Sequence, residues 1–246
     1  MNPKKLAFHS PSDAAGTADP GKTVLLAPLP DLAAAGETAE LVFILDRSGS
    51  MQGLEADTIG GFNATVQQQR ALPGRAHVTA VLFDDAVETL FQGVDLREVA
   101  PLTTREYYVR GCTALLDAMG LTIKAVNRRQ KAAGRPDRTI FVITTDGLEN
   151  ASRSFTYDEV RRLVEKRRRK NGWEFIFLGA NMDAIATAAS LGIADDRAAT
   201  YLSDAAGTEA MYQGVQCAME GLRQGLDVTG SWKLGIEEDT ARRGLR

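Results

Sequence analysis

Two apolar runs, each followed by an aspartate, constrain the fold of this chain more than any other feature. Leu41-Val42-Phe43-Ile44-Leu45 ends at Asp46, and Thr139-Ile140-Phe141-Val142-Ile143-Thr144 leads through Thr145 to Asp146-Gly147. Neither run alternates apolar with polar residues. Strands of this texture are buried on both faces, the condition of a central strand in a parallel sheet covered by helices. In such sheets a ligand sits outside the carboxyl ends of the strands, where the strand order reverses. The two aspartates stand at those ends.

The rest of the chain supplies alternating partners. Strands are expected at His77–Phe83, closed by Asp84-Asp85, and at Val87–Val94 as an antiparallel edge. Two more are expected at Trp173–Leu178 and Ala199–Leu202. Between them, residues 57–72 carry Ile59, Phe62, Val66 and Arg70 at helical spacing, and residues 113–130 carry Leu116, Met119, Ile123 and Val126. Residues 157–170, 182–191 and 208–223 read as further helices. Alternation of strand and helix predicts a doubly wound α/β fold, with a mostly parallel central sheet and helices on both faces.

Length and composition bound the organisation. A chain of 246 residues with 44 % hydrophobic and 25 % charged residues can bury one ordinary core. Residues 1–38, rich in Ala, Pro, Gly, Asp and Ser, are expected to form a flexible N-terminal arm, with Thr23–Leu29 as a candidate edge strand. The α/β domain is expected over 39–225, and 226–246 as a C-terminal tail. No signal peptide or membrane span is apparent, which points to a cytoplasmic protein without membrane attachment. Cys112 and Cys217, with only two histidines elsewhere, form no disulfide framework and no zinc cluster. A net charge of -3 argues against a general nucleic-acid binder.

The chemistry concentrates at three strand ends. Asp46, Ser48 and Ser50 alternate in Asp46-Arg47-Ser48-Gly49-Ser50-Met51, so on an extended loop their oxygens can share one side. Thr113 follows Gly111-Cys112 just before a helix, and Asp146 follows the 139–144 run. Two carboxylates and three hydroxyls are hard oxygen donors. They suit Mg2+, and also admit Mn2+ or Ca2+, while zinc and copper are disfavoured. The hydroxyls leave such a dication electrophilic, open to a carboxylate from a partner. Asp-x-Ser-x-Ser alone often marks a turn or helix cap; its placement with the other two loops makes it a metal site.

These three segments resemble the von Willebrand factor A (vWA) family. Leu41 to Met51 is similar to its first strand and metal loop, Gly111 to Ala118 to its threonine loop, and Ile140 to Asn150 to its fourth strand and second acidic loop. The resemblance implies a metal-ion-dependent adhesion site. Ser48, Ser50 and Thr113 would be hydroxyl ligands, and Asp46 and Asp146 would act mainly through water or as acceptors behind them. Cys112 departs from the glycine of many relatives. The run from Trp173 to Asp183 resembles the small intracellular bacterial branch, whose members often work with AAA+ ATPases or in multiprotein assemblies. The expected function is thus a non-enzymatic module that binds an Asp or Glu of a partner protein.

Two other functions compete. A Mg2+-dependent phosphohydrolase would need a nucleophile or general base, and neither is evident beside the loops; no phosphate-binding glycine motif is present. A nucleic-acid-linked scaffold would use the basic helix 157–170, though Val160, Leu163 and Val164 make that helix an amphipathic one with a wet basic face.

Single residues have two readings each. Arg47 is expected to point outward, either hydrated or selecting acidic partners. Asp84 and Asp85 are read as turn residues before rim residues. Asp117 either stands behind the metal or holds a loop. Glu149 and Asn150 either line the rim, or Asn150 or Ser152 caps a helix. Cys217 and Met219 are assigned to the core.

Overall fold

The computed structural model describes residues 38–134 and 137–244. The sheet has six strands: β1 (Ala39–Asp46), β2 (Ala76–Phe83), β3 (Val87–Asp95), β4 (Arg138–Thr145), β5 (Glu174–Ala180) and β6 (Ala198–Tyr201), in the order β3-β2-β1-β4-β5-β6. All neighbours run parallel except β3, which pairs antiparallel with β2 as the edge. Six helices accompany them: α1 (Glu55–Ala71), α2 (Leu115–Ala132), α3 (Tyr157–Asn171), α4 (Ala184–Ser190), α5 (Ala205–Arg223) and α6 (Leu234–Arg243). This is the doubly wound α/β fold expected from the alternation.

The central strand shows why the apolar runs are unbroken. Leu41, Phe43 and Leu45 of β1 enter one core, with Phe62 and Val66 of α1 and Met211, Val215 and Met219 of α5. Val42 and Ile44 enter the other, with Met119 and Ile123 of α2 and Val160 and Val164 of α3. With period-two side chains and apolar helices on both faces, no position of β1 is free for water. Ring contacts knit each layer: Phe43 meets Phe62 edge to face at 5.0 Å, and Phe141 stacks on Phe175 at 4.7 Å. Gly61 of α1 allows α5 to approach, since a methyl there would lie 2.0 Å from the Tyr212 ring.

The opposite end of the sheet from the aspartates carries a buried charge. Glu40 accepts from Thr79 Oγ1 and Gln130 Nε2, each at 2.8 Å, and pairs with Arg129, which pins α2 to β1.

Residues 1–37, including the candidate strand Thr23–Leu29, lie outside the described residues. The segment expected as a tail contains a short turn, Gly230–Lys233, and α6. Trp232 and Ile236 are buried against the α5 side of the sheet, and Trp232 Nε1 donates to Asp196 O at 3.0 Å. The large apolar residues here, Leu226, Val228, Trp232, Leu234 and Ile236, fall at mixed intervals of two and four and so show no consistent helical spacing in the sequence. The assignment of Cys217 to the core is corrected: it is exposed, while Met219 is buried. Position 217 follows the buried Val215 by two residues and so turns toward the outer side of α5.

Candidate metal centre

The chain runs from β1 outward to β2 and returns on the other side at β4, so the strand order reverses between β1 and β4. The register pairs Leu45 with Thr144. Asp46 and Thr145, one residue on, therefore leave the sheet side by side, at the crevice that the topology opens.

Asp46 is fully buried and held on every oxygen. Its Oδ1 accepts the Ser48 amide at 2.7 Å, its Oδ2 accepts Thr145 Oγ1 at 2.5 Å, and its carbonyl accepts the Tyr107 hydroxyl at 2.5 Å. Burial nevertheless dominates and pushes its pKa up to about 6, against the bonds from Thr145 and Ser48 that lower it; Asp146 adds a small upward push. Asp146 is also raised, chiefly by burial. Both carboxylates thus sit where their charge is costly without a cation.

The three hydroxyls converge in front of them. Ser48 Oγ and Ser50 Oγ are 3.0 Å apart, and Ser50 Oγ donates to Asp146 Oδ1. A methyl placed on Gly147 would lie 2.7 Å from Thr113 Oγ1, 3.1 Å from Ser50 Oγ and 3.6 Å from Ser48 Oγ. All five residues singled out from the sequence, Asp46, Ser48, Ser50, Thr113 and Asp146, therefore lie together. The space they share exists because residue 147 has no side chain. Among the described residues no group of three or more His, Cys, Asp or Glu could hold a metal. The oxygens here are a mixed hydroxyl and carboxylate set, and that chemistry fits a hard dication rather than a soft one.

Backbone bonds lock the loops. Gly49 N donates to Gly111 O at 3.1 Å and Arg110 N to Arg47 O at 2.9 Å, tying the loop after β1 to the segment before Thr113. Thr113 N donates to Asn150 Oδ1 at 2.9 Å, and Asn150 N returns a bond to Thr113 O at 3.0 Å. The first amides of α2 are capped by the same loop: Leu116 N by Glu149 at 2.9 Å and Asp117 N by Ser152 Oγ at 3.0 Å. Glu149, Asn150 and Ser152 are therefore helix and loop anchors. Asp117 accepts the amides of Arg153, Ser154 and Phe155, each at 2.9 Å, which makes it a loop anchor too. The exposed Cys112 leaves this lattice intact; its amide donates to Asp85 Oδ1 at 2.6 Å.

The outward placement of Arg47 is corrected. Its side chain is 1 % exposed, with Nε on Asp84 Oδ2 at 2.8 Å, Nη2 on Glu88 at 2.7 Å and Nη1 on Glu106 O at 3.2 Å. Asp84 also takes Arg110 at 2.6 Å and closes its own turn by accepting Ala86 N at 2.9 Å. Two guanidinium groups hold the Asp84 carboxyl below its usual range in spite of burial. The 46–51 loop is inward on both sides: Asp46 and Ser48 toward the crevice, Arg47 into an ion cluster with Asp84 and Glu88 at the end of β2 and the start of β3. Thr145, Tyr107 and Gly147 are the site residues that sequence reasoning missed. A hydroxyl directly before Asp146 was the available signal for Thr145; Tyr107, distant in sequence, gave none.

A family model described as "VWA domain containing CoxE-like protein" matches residues 30–173, more than half of the chain, and the chain belongs to that family. Solved structures agree on the fold. The von Willebrand factor type A protein of Catenulispora acidiphila superposes with a TM-score of 0.54 at 18 % identity, over 75 % of this chain and 43 % of that one. The manganese-loaded TRAP protein of Plasmodium vivax gives 0.51 at 16 %, over 70 % and 72 %. Proximal thread matrix protein 1 of the mussel byssus, with a zinc-occupied MIDAS motif, gives 0.50 at 15 %, over 76 % and 45 %. The chain thus spans less than half the length of the Catenulispora and mussel proteins. A search of curated proteins finds no significant match. No helix among the described residues is long and apolar enough to cross a membrane.

Proposed function

We propose that this protein is a metal-dependent protein-binding module. Ser48, Ser50 and Thr113 would hold a divalent cation through their hydroxyls, with Asp46 and Asp146 supplying negative charge directly or through water. The ion proposed is Mg2+, and the same donors would accept Mn2+ or Ca2+. An Asp or Glu of a partner protein would complete the shell. The observation that carries this reading is the convergence of the three hydroxyls on the space kept open by Gly147. Support comes from two proteins of the same fold, the manganese-loaded Plasmodium protein and the zinc-occupied mussel protein.

The site is proposed to bind and not to catalyse. Asp46 is engaged by Ser48 and Thr145 and Asp146 by Ser50, so neither carboxylate stands free as a general base. The setting proposed from the sequence resemblance is the bacterial cytoplasm, with a partner in an AAA+ ATPase or other multiprotein assembly.

Calorimetric titration with Mg2+ and Mn2+ tests the reading. Wild type should take up one ion, and Ser48→Ala combined with Asp146→Asn should weaken it at least about tenfold, the loss of roughly 1.4 kcal/mol. A folded wild type that binds neither ion at millimolar concentration would overturn the proposal, as would a double variant that binds as tightly.

A further inference from the structure

We infer that the groove between α2 and α3 is a second binding surface, separate from the metal centre, that receives an Asp- and Glu-rich segment of a partner protein. Two rows of cations border it. Lys124, Arg128 and Lys131 follow one another along the exposed side of α2, and Arg162, Lys166 and Lys170 along α3. At about 1.5 Å per residue each row is roughly 10–12 Å long. The helices pack side by side, and Arg167 Nη1 of α3 donates to Asn127 Oδ1 of α2. Both helices run in the same direction along the sheet, and that bond brings the two rows alongside each other. None of the six cations has a carboxylate within 4.0 Å among the described residues; Glu159, at the start of α3, is the carboxylate whose field reaches two of them, Lys124 and Arg162. Cations outnumber carboxylates on this face, although the whole chain carries a net charge of -3.

The floor of the groove supplies an independent observation. Arg167 is only 9 % exposed, yet no carboxylate pairs with it among the described residues. Its contacts are Asn127, Asn171 at 3.2 Å and the Trp173 ring at 5.8 Å, and its Nε has no hydrogen-bond partner. Burial alone lowers its pKa. A buried guanidinium without a counter-charge is costly, and an anion laid over the groove offsets that cost.

The same surroundings select a polypeptide over a nucleic acid. Bases bind sequence-tolerantly by stacking on exposed rings. The rings along this groove are covered, Phe155 under Lys124 at 4.3 Å and Trp173 buried against Arg167; the exposed ring nearby, Tyr157, stands at the very start of α3 and leaves a single stacking platform. A polyphosphate running past the patch would meet the net negative remainder of the chain, whereas a short acidic segment presents its charge to the rows alone. Cations three and four residues apart on a helix are about 5–6 Å apart at their Cβ atoms, the spacing of carboxylates at the same intervals on an acidic helix.

The test uses a fluorescent oligo-aspartate peptide, the intact protein and EDTA, so that no ion at the metal centre takes part. The peptide should bind at low salt, weaken steeply as salt rises, and weaken roughly tenfold when Lys124→Gln, Lys166→Gln and Lys170→Gln are combined. Ser50→Ala should leave it unchanged in EDTA. The three glutamines replace exposed side chains, and an unchanged melting temperature checks the fold; Arg167→Met offers a second variant with the same expected direction. Absent binding, binding indifferent to the triple variant, or tighter binding of a duplex DNA of equal charge would each overturn the inference.

Discussion

Gly147→Ala is the sharpest perturbation of the proposed metal centre. The backbone at Gly147 is outside the left-handed region, so alanine is not strained by its conformation. What it meets is oxygen: the new methyl would stand 2.7 Å from Thr113 Oγ1 and 3.1 Å from Ser50 Oγ, inside van der Waals contact. Either the methyl occupies the shared space or Thr113 and Ser50 rotate away, and both outcomes take ligands from the ion. Loss of two charge-assisted contacts, about 1.5 kcal/mol each, implies an affinity for Mg2+ or Mn2+ lower by about two orders of magnitude. The fold should suffer less. Overpacking typically costs about 1–3 kcal/mol, a fall in Tm of roughly 3–10 °C for a domain of this size. Calorimetry and a thermal melt in EDTA separate the two effects. Gly60→Ala, at a helical position with nothing within 4 Å, is the control and should stabilise by about 0.5–1 kcal/mol without touching ion affinity. Ion binding by folded Gly147→Ala within threefold of wild type would show that the hydroxyls do not converge on the ion.

Further outcomes follow from other parts of the structure. In the metal-free protein Asp46 titrates near 6 when folded and near the ordinary 3.8 when unfolded, so the folded state holds more protons between those values. Stability should therefore rise as pH falls through 6 toward 4, by up to about 3 kcal/mol, and Asp46→Asn should remove that rise; an equal difference between wild type and variant at pH 4.5 and 7.5 in urea titrations would contradict it. Asp84→Ala strands the buried Arg47 and should cost about 3–5 kcal/mol by urea denaturation, while a loss under 1 kcal/mol would mean that Glu88 alone holds the guanidinium. Trp232→Ala should cost about 3–5 kcal/mol if the C-terminal turn and α6 are part of the domain's core, and almost nothing if they are an appended tail.

The sequence disclosed the fold through its most buried elements. β1 and β4 announced themselves because each is covered on both faces, and an unbroken apolar run has few other readings. The five oxygen-bearing residues were legible because three of them alternate in one loop and the others close a strand or open a helix. Arg47 was misread because an arginine between two site residues has, in the sequence, no partner in sight; Asp84, Glu88 and the Glu106 carbonyl lie 37, 41 and 59 residues away. Long-range pairing of that kind leaves no local pattern. The same holds for Tyr107, which reaches Asp46 across 61 residues. Gly147 carried no reading of its own in the sequence, because nothing local shows that a side chain there would meet Thr113 and Ser50.

The loop after β4 does two jobs with one stretch of chain. It carries Asp146 into the crevice, and through Glu149, Asn150 and Ser152 it holds the amides of Leu116, Thr113 and Asp117 at the start of α2. Any excursion that withdraws Asp146 far enough to release these bonds must bare those three amides to solvent. Their deuterium uptake is thus a gauge of how often the crevice opens, readable amide by amide. A ligand that clamps the crevice would slow all three together, although none of them touches it.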